Sequence, residues 1–334
     1  MKLTFSKENI NIKSAVILSA LSIFAGFVAS WMGPANLVLS LLPMAATAGL
    51  LASLIHFECN TFKTIRFIAP ICVIVLDWIL NSFNSLGGII MVVAALMIFL
   101  VYEQGWSKIE SVLTMSLVVA GLIALMFVII GIQEGGGLTV KEFYENLFEQ
   151  FKNEYVKYFE ETYSALYEEA GVEPISSEYI IYVFDFMWGM IVSIFFVSGF
   201  ILVGIASKIY SFALKKLGSD KEKLDAWKFL PTPLYAYFFA IIEVLTMFVS
   251  SDLTSFALCV SNLSMIFMPI FWYMGTVAAV KLVNERKKRG MPTAFTKACA
   301  IVIAIFFPRI LSYMGVFYCI ISDKLKKIKD IDNN

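Results

Sequence analysis

Four ionisable side chains interrupt long apolar runs in this chain. Glu243 lies near the middle of one run, Arg309 at the centre of another, and Asp77 and Asp185 toward the ends of two more. A charge near the centre of a membrane costs roughly 2.5–3.5 kcal/mol on insertion scales, so each such group needs a partner. One arrangement pairs Glu243 with Arg309, which would lock two apolar segments together at depth. The other is a polar cavity in which these groups contact a solute or a proton, with the amides of Asn262 and Asn81 adding neutral hydrogen-bonding capacity. Asp77 and Asp185 are also close enough to the ends of their runs to be met by interfacial water.

Other chemistry is sparse. There is no HExxH, no Walker-type glycine-rich loop and no GxSxG, and the one histidine, His56, ends an apolar run rather than joining an acid–base set. Cys59, Cys72, Cys259, Cys299 and Cys319 show no CxxC spacing, so neither a zinc site nor a disulfide framework is expected. The reading therefore assigns no catalytic, cofactor-binding or metal-binding residue and expects no enzyme. Nucleic acid is not expected as a partner, because the basic residues fall in loops whose charge membrane topology already explains.

The elements that must hold these residues are apolar and long. Of 334 residues, 59% are hydrophobic and 16% charged, with a mean hydropathy of +0.80; soluble domains carry about 25% charge. Apolar runs extend from Ser14 to Met32, Leu37 to His56, Ile65 to Leu80, Leu86 to Val101, Ser111 to Ile132, Ile180 to Ile209, Leu234 to Val249 and Leu253 to Val283, and a ninth from Phe295 to Ile321. A bilayer core about 30 Å thick takes roughly 20 residues per crossing. The expected fold is an all-α polytopic transmembrane bundle of about eight spanning helices. The first run follows Lys2, Lys7 and Lys13 and could imitate a signal peptide cleaved after Val28, Ala29 and Ser30, but a second hydrophobic run follows at once, which favours a retained first helix.

Charge orients the chain. Lys2, Lys7 and Lys13 place the N-terminus in the cytoplasm; alternation then puts Lys63 and Arg66 inside, along with the basic loops at Lys215 to Lys228 and Arg286 to Arg289. A ninth single crossing would leave Lys324, Lys326, Lys327 and Lys329 outside. Pro308 sits mid-run and breaks the helix ladder, so two half-helices folding back to the cytoplasm are favoured over one kinked span. Between Thr139 and Ala170 the outside segment holds three Lys and eight Glu. Gly135 to Gly137 form its entry, Thr139 with Glu142 makes a capping box, and Gly171 with Pro174 ends it. Phe143, Leu147, Phe151, Tyr155, Phe159, Tyr163 and Leu166 recur at helical spacing, predicting an amphipathic helix of about 30 residues. Such a helix packs on the outer ends of the bundle, closes a cavity as a lid, or self-associates. The expected domains are an N-terminal five-helix bundle (1–132), the acidic outside helix (133–178), a C-terminal membrane bundle (179–322) and a basic tail (323–334).

Two stripes of small residues at four-residue spacing, Ser22, Gly26, Ser30 and Ala45, Gly49, Ser53, permit close helix contact, either between the first two runs or with a second membrane protein or another copy of the chain. Pro269, a few residues after Asn262, would free backbone groups at depth.

The C-terminal half resembles the YybS-like family of bacterial integral membrane proteins. The residues that carry the likeness are Leu224-Asp225-Ala226-Trp227-Lys228-Phe229-Leu230-Pro231, Asn262, Met274-Gly275, Lys287-Lys288-Arg289-Gly290-Met291-Pro292 and Phe306-Phe307-Pro308 followed by Gly315. The resemblance implies a multi-pass bundle without an established activity. The N-terminal region is similar in general character to the substrate-binding subunits of energy-coupling-factor transporters, which bind a solute and dock on a partner, although this chain is considerably longer. From these features we expect a solute-binding or transport-associated membrane component; a non-transporting envelope scaffold is the alternative.

Overall fold

The computed structural model describes residues 10–32, 37–57, 64–81, 85–170, 176–219, 231–249 and 254–332. Among these, the regular elements are all α-helices, in agreement with the expected class: α1 (Ile12–Met32), α2 (Leu37–His56), α3 (Ile65–Leu80), α4 (Gly87–Glu103), α5 (Lys108–Glu134), α6 (Val140–Ala170), α7 (Ser177–Gly189), α8 (Ile191–Leu217), α9 (Pro233–Phe248), α10 (Ser255–Lys288), α11 (Ala294–Phe306) and α12 (Pro308–Asp332).

Five of them are long and apolar enough to cross a membrane: α1, α2 from Leu39, α5, α8 and α10. The chain is thus built as a membrane-embedded helical protein. There are fewer long helices than the eight spans expected. α3, α4 and α9 have 16, 17 and 16 residues, about 24–26 Å at 1.5 Å per residue. The run from Ile180 to Ile209 is also divided, because the helix breaks at Met190 (φ −94°, ψ 8°) into α7 and α8. At Pro308 the break is sharper: Ala294–Ala304 and Pro308–Ser322 meet at 110°. α12 then continues as helix to Asp332, through residues expected to form a separate tail.

The helices gather into two compact units, residues 1–106 with 111–226 and residues 107–110 with 227–334. Hydropathy places divisions at 132 and 178; packing does not, because α8 lies along α2 and so belongs with the N-terminal helices. In unit 1, α2 is the hub, touching α1, α3, α4 and α8. The α1 stripe of Ser22, Gly26 and Ser30 is buried, and a Cβ on Gly26 would meet Val73 of α3 at 3.1 Å and Thr47 of α2 at 3.5 Å. On α2, Ala45 and Ser53 are fully buried. Gly49 brings that helix against α8: a Cβ there would lie 2.6 Å from the Ala206 carbonyl oxygen.

Unit 2 uses the same device more tightly. A Cβ on Gly275 of α10 would fall 1.9 Å from the Leu311 carbonyl oxygen of α12, and one on Gly315 would fall 2.0 Å from the Phe271 carbonyl oxygen. The two backbones therefore touch, and α9 packs on both.

Helix α6 follows a turn in which Gly136 and Gly137 take φ of 57° and 100°, a region open to glycine. It starts with the expected capping box: Thr139 N–H and Oγ1 donate to Glu142 at 2.9 and 2.8 Å, and Glu142 N–H donates to Thr139 Oγ1 at 3.3 Å. The Thr139 hydrogen bonds hold the Glu142 carboxyl below the usual glutamate range. The packed face of α6 overlaps the expected stripe in part, with Tyr155 on Phe184 of α7 at 5.2 Å, and is shifted from it elsewhere. Phe148 packs at a tilt on Trp188 and Phe184 of α7, with ring centroids 4.9 and 5.8 Å away, and Tyr144 donates to the Phe127 carbonyl of α5 at 2.7 Å. Phe151 and Tyr158 stay more than half exposed.

Candidate functional site

The most developed polar site forms around Asp77, at the end of unit 1 where α1 and α3 finish and α2 and α4 begin. The carboxylate is 1% exposed. Its Oδ1 accepts from Ser30 Oγ of α1 at 2.8 Å and from Asn81 Nδ2 at 3.1 Å, and its Oδ2 accepts from Gly88 N–H at 2.8 Å. Gly88 is the second residue of α4, so the acid sits at the positive end of that helix. The Asn81 amide also donates to the carbonyls of Asp77 (3.1 Å) and Ser30 (3.3 Å), which fixes which way the amide faces. All the described partners of the carboxylate donate, a pattern that satisfies it as an anion. Beside it lies a cavity of about 30 Å³, lined on the polar side by Ser30, Ser40, Asn81 and Ser85 and on the apolar side by methionines and aliphatic residues. Space for a water begins at about 10–15 Å³, so the cavity is ion-sized or water-sized rather than metabolite-sized.

The second buried acid is Glu243 in unit 2, 4% exposed on α9. Its Oε1 accepts from Ser264 of α10 and its Oε2 from Tyr313 Oη of α12 at 2.7 Å, so one carboxylate ties three helices. The Glu243–Arg309 ion pair is not formed. Arg309 is exposed near the start of α12, and the Tyr313 hydroxyl, one turn further on, takes the place expected for it. Two hydroxyl donors meet the carboxylate's needs without a second buried charge. Asn262 is half-buried and donates to the Leu258 carbonyl of its own helix at 2.8 Å.

Asp185 is brought to neither of these buried acids. It lies on the 13-residue α7, where its Oδ1 meets Lys152 Nζ of α6 at 3.2 Å, and Glu149 meets the same ammonium. The Glu149 hydrogen bond, aided by Asp185, pushes the Lys152 ammonium above the usual lysine range. Lys152 is buried between the helices, and its position among aromatic residues gave no sign of this role in sequence.

His56, read as isolated, closes the opposite end of unit 1. It is 1% exposed; its Nδ1 lies 3.2 Å from Tyr210 Oη and 3.3 Å from Glu103 Oε1, and its Nε2 lies 3.4 Å from Ser219 Oγ. Phe57, Phe99, Tyr102 and Tyr210 surround the ring edge-to-face. The arrangement pins the ends of α2, α4 and α8 together. Its partners come from 47 to 163 residues away, which no local spacing reveals.

Unit 2 also holds an open cleft of about 400 Å³ between α10, α11 and the start of α12. Its walls are mostly apolar, with Val280, Val283 and Ile301, and Asn284 and Lys297 add polar groups. This volume lies in the range of small-molecule sites. Among the described residues no group of three or more His, Cys, Asp or Glu side chains is placed to hold a metal ion. Neither a protein-family model, a curated protein nor a solved structure matches the chain.

Proposed function

We propose that this chain is a solute-binding or transport-associated component of the bacterial cytoplasmic membrane, of the broad kind suggested by its YybS-like resemblance. In this reading the N-terminus is cytoplasmic, the Asp77 cavity and α6 lie on the outer side, and α11 with α12 forms a re-entrant pair that returns the C-terminus to the cytoplasm. The short helices α3, α4 and α9 span with the bundle, which brings the number of crossings to eight. The observation that carries the reading is Asp77, a buried acid held by neutral donors at a helix start and facing a small, mostly apolar cavity with one polar side. Such groups in membrane segments mark ion and substrate paths. The cleft of unit 2 supplies the larger volume an organic solute needs.

A scaffold for envelope proteins is favoured by a different observation, the exposed aromatic residues Phe151, Tyr155 and Tyr158 on α6. The test is native mass spectrometry with untargeted metabolite analysis of protein released gently from membranes. A stoichiometric small molecule, or a co-purifying transporter subunit, is the expected result. Lipid alone, or an envelope protein held through α6, would replace the transport reading with the scaffold.

A further inference from the structure

We infer that the Asp77 cavity is a binding site for one small monovalent cation, with sodium as the probe; the inference rests on the transport-associated reading and names the ion it uses. Four observations converge. First, the carboxylate is buried and its described contacts are neutral, while the joining segments 33–36 and 82–84 contain no Lys or Arg. The donors and the start of α4 meet it with partial charges alone, so one full negative charge remains for one monovalent ion to balance. Second, the adjoining cavity of about 30 Å³ has room for an ion and little more. Third, its polar side offers oxygen ligands, the donor type that hard cations select: the hydroxyls of Ser40 and Ser85 line it beside Asp77, and Ser85 Oγ is oriented by accepting Gly87 N–H at 3.0 Å. Fourth, Gly87 keeps the space open, since a Cβ there would stand 3.0 Å from Asp77 Oδ1 and 3.1 Å from Ser85 Oγ.

The experiment uses the full chain in detergent, with equilibrium binding of radioactive sodium and thermal unfolding in sodium against choline chloride at equal ionic strength. Expected are one saturable sodium per chain, displaced by unlabelled sodium or lithium, and a midpoint raised by about 3 °C at roughly a hundred times the dissociation constant. Gly87→Ala retains every polar group of the site and should weaken sodium binding about tenfold or more while remaining folded in choline. Asp77→Asn should abolish binding. Absence of saturable sodium binding, with equal midpoints in the two salts, overturns the inference and leaves a water-filled cavity. Binding that survives unchanged in both variants also overturns it, by placing the ion elsewhere. Either result removes the ion and with it the support that Asp77 lends; the transport-associated reading is decided separately, by what co-purifies. Sodium binding by a protein that carries only scaffold partners would sink that reading alone.

Discussion

Asp77 and Glu243 are both carboxylates removed from water inside apolar helices, and they are satisfied in opposite ways. Asp77 takes a backbone N–H, an amide and a hydroxyl, and it faces a cavity. Glu243 takes two hydroxyls from neighbouring helices, and it does not line the unit's cleft. A backbone donor at a helix start cannot turn away when its acceptor is lost. A serine hydroxyl can turn to the carbonyl four residues back, as those of Ser22, Ser53 and Ser116 do. The first arrangement is rigid and leaves one side open; the second closes on itself and serves as a tie between helices.

The largest effect that would test this contrast is Asp77→Leu. It strands the Gly88 N–H in a buried place, takes one acceptor from the Asn81 amide and from the Ser30 hydroxyl, and sets a branched apolar side chain among them, at about 4 kcal/mol in total. The thermal or SDS-unfolding midpoint of the purified protein reads the loss. A cost near that of an ordinary surface substitution would mean that Asp77 is not buried among obligatory donors.

Gly315→Ala follows, at about 3 kcal/mol, because its methyl would overlap the Phe271 carbonyl and force α10 and α12 apart. The damage should stay in unit 2, so amide hydrogen exchange should rise in α10 and α12 before it rises in α1 to α4. Even loss of protection throughout the chain would contradict separate cores.

Glu243→Met keeps volume and releases two hydroxyls that can find other acceptors, so it should cost only about 1 kcal/mol. Arg309→Gln should stay within about 0.5 kcal/mol, and adding it to Glu243→Gln should recover nothing, since the two side chains are not paired. Recovery in the double variant, measured as a cycle of unfolding midpoints, would restore the ion pair that the sequence suggests.

That suggestion shows where sequence reading ended. Helix class, the capping box at Thr139 and the break at Pro308 were legible, because each rests on residues within a few positions of one another. The buried position of Glu243 was legible as a cost needing partners, whereas the sequence left Asp77 open to interfacial water and the fold buries it. The partners were not, since Ser30, Gly88, Ser264 and Tyr313 are neutral and carry no mark until helices are packed. Charge attracted attention to Arg309, whereas a tyrosine one turn away makes the contact. The same bias grouped Asp185 with intramembrane acids and passed over Lys152, which the shifted face of α6 brings to it. The role of His56 was not legible either, for its polar partners lie on two other helices and beyond α8.

The smallest effect concerns an acid that is not buried. Glu142 is fully solvated, and its carboxyl is held below the ordinary glutamate range by the Thr139 backbone and side-chain hydrogen bonds. A folded-state value below the unfolded one gives stability that is present above the unfolded pKa and lost as pH falls through the folded one. Acidification below about pH 4 should therefore loosen the first turn of α6, seen as faster amide exchange at Lys141 to Tyr144, once corrected for the intrinsic pH dependence of exchange. Glu142→Gln retains a capping-box side chain without the charge and should flatten this dependence while keeping the turn. An unchanged acid response in that variant would assign the loosening to another carboxylate of α6. Exposure to solvent limits the effect to the helix end. The contrast with Asp77 then turns on burial: both acids accept backbone N–H donors, and only the one removed from water is expected to hold an ion.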